Sequence, residues 1–247
     1  NFRKRMLPHL EWFNRKGINF HVPSPENNKG VHILTKDTIV ELSNPYKEFG
    51  ASIHYTTDCT EPDTSSQAYQ KPIKITSNTI LKAKLALFEG KVSNTTRSFY
   101  YFVDPEKNGL MCDYFEGEWD SIPDFDAMTP IKSEKVYTID PDAVDHREDY
   151  YGLRFRGEIH IPATGEYTFF SESDDGTHLY IDNHLVINND GIHGPVTMTK
   201  NLTLEAGRHK IRVNFFEGNF GQVLSVGTIN KNGEKVPLNY SELYVGE

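Results

Sequence analysis

Two runs in the second half of this chain alternate apolar and polar side chains with a period of two. In residues 153–161, Leu153, Phe155, Ile159 and Ile161 fall on one side, and Arg154, Arg156, Glu158 and His160 on the other. Residues 208–215 repeat the pattern with Ile211, Val213 and Phe215. Successive side chains of an extended strand point to opposite faces, so such runs are half-buried strands. An earlier run, 79–88, sets Leu81, Ala83, Leu85 and Leu87 on one face and Lys82 and Lys84 on the other. No helical period of useful length occurs after residue 22. Beyond a short N-terminal helix, the chain is therefore restricted to an all-β fold.

Residues 1–25 read as that helix followed by a short extended piece. Phe2, Met6, Leu10 and Phe13 form one helical stripe, Arg15 and Lys16 stand in the last turn, and Gly17 is the stop. Pro8 either kinks this helix or begins it. Residues 19–22 read as a strand closed by Pro23 and Pro25. A fragment this small makes no core of its own and must pack on the next module or on chain upstream.

Residues 26–104 form a first β module, with strands expected at 31–34, 38–42, 52–56, 72–75, 79–88 and 98–103. Asn44-Pro45, Asp58 to Pro62 and Glu89-Gly90 supply the turn chemistry between them. Short strands at this spacing predict an immunoglobulin-like sandwich. Residues 105–247 form a second β module. Its hairpin turns are expected at 162–165, at Asp182-Asn183 and at 205–207. Asn183 tolerates the positive φ that a two-residue hairpin requires. The polar, proline-bearing stretch 117–150 is expected to be a long loop laid over a sheet.

Length allows one large or two medium domains within 247 residues. A net charge of −9 argues against nucleic acid, whose binding is driven by neutralising phosphates. No apolar run approaches the roughly 18–20 residues of a membrane helix. Cys59 and Cys112 are the two cysteines, too few for a disulfide framework or a cysteine metal cluster, and either a 59–112 bridge or two free thiols is compatible with them. Sequons stand at Asn94, Asn201 and Asn239. The chain opens on Asn1 without a signal peptide, and we expect it to be a piece of something longer.

The stretch 171–182 holds the one feature that asks for a specific ligand, the adjacent carboxylates Asp174 and Asp175. Neighbouring aspartates can grip one ion only if the backbone turns sharply between them. The competing reading is a plain Asp-Asp-Gly turn whose carboxylates accept backbone N–H bonds. The loop after Phe216 offers further oxygens from Glu217 and Asn219. Asp190 and His193 are expected near this loop, where His193 either reaches a ligand or bonds backbone. Trp12, Trp119, Tyr114, Phe216 and Phe220 either stack on a sugar or fill a core. No metalloprotease, nucleophile-elbow or phosphate-loop pattern occurs, and no residue is assigned a catalytic role.

Several motifs resemble known families. Ile53-His-Tyr-Thr-Thr-Asp-Cys-Thr-Glu-Pro62, Tyr69-Gln-Lys-Pro-Ile73, Leu81-Lys-Ala-Lys84 and Gly90-Lys-Val-Ser93 resemble the C-terminal β-sandwich of chitobiases and β-hexosaminidases, with Cys59 where that family has glycine. Residues 5–23 resemble the end of a family 20 glycoside hydrolase barrel. The run Tyr151 to Gly227 resembles the protective-antigen domain family of bacterial toxins, glycosidases and yeast adhesins. Its matching motifs include Phe155-Arg-Gly-Glu-Ile159, Ser173-Asp-Asp-Gly176, Leu179-Tyr-Ile-Asp182, Asn189-Asp-Gly-Ile-His-Gly194 and Ile211-Arg-Val-Asn-Phe-Phe-Glu-Gly218, opened by Gly109-Leu110 and Tyr114-Phe115. Asp182-Asn183 replaces the family's Asp-Gly, and Ser225-Val-Gly227 replaces an apolar-x-Trp ending.

These resemblances imply two consecutive β-sandwich modules, immunoglobulin-like and then protective-antigen-type, behind a barrel-end remnant at 1–25. They imply a non-catalytic C-terminal accessory region of a secreted bacterial β-N-acetylhexosaminidase. Such a parent hydrolyses with assistance from its substrate, using an Asp-Glu pair in the upstream barrel. In sugar-binding protective-antigen domains the aspartate pair is joined by a cis peptide and faces one calcium ion. The implied metal ligands are Asp174, Asp175 and Asn219, and the implied carbohydrate contacts Asp174, Asp175, His193, Asn219 and Phe220. Partners would be glycans with N-acetylhexosamine or related sugars and, within the parent, the catalytic barrel. The location would be secreted, periplasmic or at the cell surface. The alternative is a spacer or packing module that supports the barrel without binding a ligand.

Overall fold

The computed structural model describes residues 2–18, 20–26, 29–88 and 91–246, with the backbone alone for residues 2–7 and 88. Asn19, the turn at Glu89-Gly90, and the side chains of Phe2 and Met6 lie outside the described residues. The chain divides into two compact units, Asn1–Phe102 and Val103–Glu247.

In the first unit a helix, α1 (Phe2–Arg15), carries Pro8 inside it and ends on basic Arg15. Its Leu10 packs with Phe20 and Tyr46 against Val22, Phe49, Ala51, Leu85 and Leu87, so the helix borrows the core of the sandwich that follows. No strand forms at 20–22; the extended stretch expected there is held by packing of Val22 instead. The strands are β1 (Gly30–Leu34), β2 (Thr38–Val40), β3 (Ser52–Thr56), β4 (Gln67–Ala68), β5 (Ile73–Ile75), β6 (Thr79–Phe88), β7 (Lys91–Val92) and β8 (Thr96–Phe102). One sheet runs β1-β8-β6-β3-β4 with β7 on β6, and β2 pairs with β5 in the other. Val40, Leu42, Ile53, Ile73, Ile75, Leu81, Ala83 and Tyr100 fill the space between them. The alternation of β6 places Leu81, Ala83, Leu85 and Leu87 in the core. Lys82, expected outward, is also buried, and its ammonium lies 3.6 Å from Glu61.

The second unit contains β9 (Leu110–Glu116), β10 (Lys132–Val136), β11 (Tyr151–Ile161), β12 (Gly165–Asp174), β13 (Thr177–Ile181), β14 (His184–Asn189), β15 (Val196–Leu204), β16 (Gly207–Glu217), β17 (Val223–Ile229), β18 (Lys235–Pro237) and β19 (Leu243–Tyr244). One sheet has the order β10-β9-β11-β16-β13-β14 with β19 on β11; the other is β15-β12-β17-β18. Leu153, Phe155, Phe169, Leu179, Ile211, Val213, Phe215 and Val226 are buried between them. The fold is thus all-β with a short N-terminal helix, as the periodicity predicts.

Three expectations are corrected here. Of the three turns expected to be hairpins, Asp182-Asn183 alone makes one, joining β13 to β14 with both φ angles positive (49° and 65°). The turns at 162–165 and 205–207 instead carry the chain from one sheet to the other, since β11 and β16 belong to one sheet and β12 and β15 to its partner. Turn residues bend a chain without choosing which sheet the next strand joins. The stretch 117–150 holds a strand, β10, antiparallel to β9, and two 3-10 turns, Phe125–Ala127 and Pro141–Ala143. Finally, Arg154 faces away from the core yet is buried, because that stretch covers it and supplies Asp126 (2.7 Å) beside Asp113 (2.9 Å). The cover is close. A Cβ at Gly152 would stand 2.5 Å from the Phe125 ring and 3.2 Å from Trp119, so only glycine lets these rings seat on β11.

Candidate functional site

The ends of β12 and β16 meet at one edge of the second unit. β12 leaves the sheet at Asp174, and the peptide from Asp174 to Asp175 is cis. Pairing of β11 with β16 runs to Tyr151 opposite Glu217, the last residue of β16. Asp174, Asp175 and Glu217 thereby present carboxylate oxygens that all lie within 4.8 Å of one another.

The three carboxylates are held differently. Asp175 is buried and accepts backbone N–H bonds from His193 (2.9 Å) and Gly218 (2.8 Å). Gly218 has to approach this closely: a Cβ there would stand 2.9 Å from the same carboxylate oxygen. Asp174 is half-buried, and burial followed by the charge of Asp175 raises its carboxyl above the ordinary range, opposed by His193. Glu217 is 1% exposed and neither of its oxygens has a hydrogen-bond partner. Burial, then the charges of Asp175, Asp174 and Asp149, push its carboxyl up to about 8.

An ionised carboxylate in such a place is costly unless it is paired or coordinates a metal. The donor set is all oxygen and all acidic, the preference of a hard cation such as calcium, which takes six to eight oxygens in flexible geometry. The two bonds to Asp175 leave lone pairs free on both oxygens. The residues present therefore fit a calcium ion.

The surrounding loops place the other sequence candidates. The His193 ring lies within hydrogen-bond distance of the carbonyls of Gly194 (2.8 Å) and Asn189 (3.2 Å), while its backbone serves Asp175. Asn219 donates from its amide to the Tyr150 hydroxyl (3.3 Å). Phe220 is 99% exposed at a positive φ of 81°, and Ile192 is another exposed apolar side chain of these loops. Asp190 accepts the amides of Ile122 (2.7 Å) and Gly191 (2.9 Å), which fixes the covering segment. Tyr114 and Phe216 are core residues, Trp119 packs edge-on against Phe125, and Trp12 lies in the other unit. Cys59 and Cys112 are free thiols. Among the described residues no helix is long and apolar enough to cross a membrane.

Comparison with known proteins follows the two units. Residues 33–97 match the chitobiase/beta-hexosaminidase C-terminal domain, and residues 106–239, over half of the chain, match the PA14 domain. A beta-hexosaminidase of Porphyromonas gingivalis is 25% identical over 220 residues, covering 79% of this chain and 27% of that protein. An alpha-agarase of Alteromonas agarilytica is 32% identical over 114 residues, covering 41% of this chain and 8% of the agarase. The chain thus spans about a quarter of the first relative's length and under a tenth of the second's. Among solved structures, the PA14 domain of the MpAFP antifreeze protein is similar at 19% identity and a TM-score of 0.48, covering 56% of this chain and 92% of that domain. With the PA14 match extending over more than half of its residues, the chain belongs to the PA14 domain family, preceded by a chitobiase/beta-hexosaminidase C-terminal domain.

Proposed function

We propose that this chain is the non-catalytic accessory region of a secreted or surface β-N-acetylhexosaminidase, and that its PA14 unit binds glycan at the Asp174–Asp175–Glu217 cluster. The observation that carries the reading is Glu217, a buried carboxylate without a hydrogen-bond partner facing two aspartates. Asp174, Asp175 and Glu217 would hold a calcium ion, with Asn219 close by in the loop that follows. Bound there, calcium supplies a Lewis-acidic centre to which two sugar hydroxyls can coordinate. Phe220 and Ile192 offer apolar surface for the C–H face of a sugar ring. The match to a beta-hexosaminidase and the domain at 33–97 support N-acetylhexosamine-containing glycans as the partner class. Residues 1–25 would be the end of the parent's catalytic barrel, and a location outside the cytoplasm follows from the same parentage.

Calorimetric titration of the chain with calcium, and then with a glycan panel at saturating calcium, tests this. Calcium binding followed by saturable glycan binding, both weakened in Asp174→Ala and Glu217→Gln, is the expected result. Absence of calcium binding by the wild type sinks it.

A second reading is favoured by the bonds of Asp175, whose two backbone amides are what a purely structural turn would show. Under it the unit is a spacer that packs on the barrel, and a crystal grown in calcium would have no ion at the cluster.

A further inference from the structure

The register across β9, β11, β16 and β13 lines up one row of outward side chains. Met111 stands opposite Arg156, Arg156 opposite Arg212, and Arg212 opposite Tyr180. Lys210, two residues along β16 from Arg212, shares that face, because Ile211 and Val213 point into the core. Like charges directly opposite each other on a sheet are destabilising, so the facing pair Arg156 and Arg212 asks for negative charge.

Neighbouring carboxylates supply only part of it. Asp113 is shared by Arg154 and Arg156, and Asp126 by Arg154 and Arg212, so two acids serve three guanidiniums. Asp113 takes Nε and Nη2 of Arg156, and Asp126 takes Nη1 of Arg212. The Arg156 and Arg212 side chains stay 47% and 28% exposed. Arg212 also lies over the Tyr180 ring (4.1 Å), which holds its plane in place. The exposed Lys210 makes no ion pair among the described residues. In a chain of net charge −9, three cations thus share one face without a full complement of acids.

These three line a pocket of about 230 Å³ together with Glu158, Tyr180 and Asn183. Guanidinium groups already held by aspartates and an aromatic ring are preorganised for an oxyanion, which arginine binds through paired N–H bonds. Glu158, itself paired with Arg208 (3.1 Å), stands on the pocket wall and opposes a second negative charge. It disfavours a phosphate dianion or a run of acidic residues, whereas it can accept bonds from hydroxyls. The Asn183 amide can bond further hydroxyls. One anionic group on a hydroxylated ring matches that lining.

We infer that this pocket is a second binding site, taking the carboxylate or sulfate group of an acidic saccharide between Arg156, Lys210 and Arg212. The choice of a saccharide as carrier rests on the proposed glycan-binding role; the site itself needs neither the carboxylate cluster nor calcium.

The test is an NMR titration of the isotope-labelled chain, in chelator and at low salt. The probes are glucuronate, glucose 6-sulfate, glucose, sodium sulfate and a peptide of alternating Asp and Glu. Backbone N–H signals of Arg156, Lys210 and Arg212 and the arginine side-chain signals are followed. Saturable shifts are expected with glucuronate or glucose 6-sulfate, whichever binds naming the anion, and none with glucose. Lys210→Gln, which removes no ion pair, should weaken the binding by about threefold or more without changing the thermal melt. Arg156→Gln should weaken it by about tenfold or more, and Asp174→Ala should leave it unchanged. The inference is overturned if neither acidic sugar shifts these signals, if glucose shifts them equally, or if Lys210→Gln binds like wild type. Sodium sulfate saturating at the same concentration as the sugars, an adventitious ion only, would also overturn it, as would tighter binding of the peptide. Because the titration is run without calcium, its failure leaves the carboxylate site standing, and the reverse.

Discussion

Asp175 and Glu217 bring carboxylate oxygens within 4.8 Å of each other, yet Asp175 is bonded by two backbone amides while both oxygens of Glu217 stand alone. One carboxylate is built into the turn and the other is held ready beside it.

That asymmetry has a pH signature. The Glu217 carboxyl is raised to about 8 in the folded chain, from an ordinary value of 4.5. A raised acid binds its proton more tightly folded than unfolded, so its stabilising effect is complete below the unfolded value and is lost as pH rises through the folded one. Metal-free protein should therefore lose stability between about pH 4.5 and 8, by on the order of a few kcal/mol. Glu217→Gln should flatten that slope. Urea denaturation in chelator at pH 5.5 and 8.0 measures both. Calcium affinity should move the other way, rising by up to about tenfold per pH unit toward 8, because the proton must leave before the metal binds.

Gly218→Ala is expected to disturb the cluster without removing a ligand. The added Cβ would press on an Asp175 oxygen at 2.9 Å, and that carboxylate, bonded by two backbone amides, has to shift to make room. A loss of about 1–3 kcal/mol in stability is expected from such overpacking, and calcium affinity should fall with it. Equal calcium binding by wild type and variant would show that Asp175 is not a ligand.

The buried Asp113 carboxylate accepts bonds from Ser133 (2.6 Å), Arg154 (2.9 Å) and Arg156 (2.9 and 3.0 Å). Burial works to raise its carboxyl, but those bonds outweigh it and hold the group below the usual carboxylate range. Asp113→Ala leaves Arg154 buried with one partner fewer and should cost about 3–5 kcal/mol. Asp37→Ala, which breaks the exposed pair with Lys74, should cost about 0–1 kcal/mol. Paired denaturation curves decide; equal losses in the two variants would refute the contrast.

At the β13–β14 hairpin Asn183 sits at a φ of 65°, which a β-branched residue resists. Asn183→Val should lower stability by about 1–2 kcal/mol, whereas Asn183→Gly should hold or raise it. Thermal melts of the three proteins check the order.

Strand existence was legible from local periodicity, as β6, β11 and β16 illustrate. Lys82 and Arg154 were not, because alternation says which face a side chain takes and nothing about what covers that face. The aspartate pair is legible as a ligand candidate from its adjacency, but of the two loop oxygens the sequence offers, the family resemblance names Asn219 as a ligand and not Glu217, the one that the structure sets beside the pair. Local sequence could not choose between them, since both lie within three residues of Phe216.

The sequence by itself determined the all-β class, the hairpin at Asp182-Asn183 and the families of the two modules, because these rest on side-chain period, local backbone tolerance and ordered motifs. Tertiary structure alone decided which sheet each strand joined, which carboxylates converged and which outward-facing side chains were covered. Those outcomes depend on pairing between distant strands and on the segment packed above them, and burial sets the cost of every charge that they enclose.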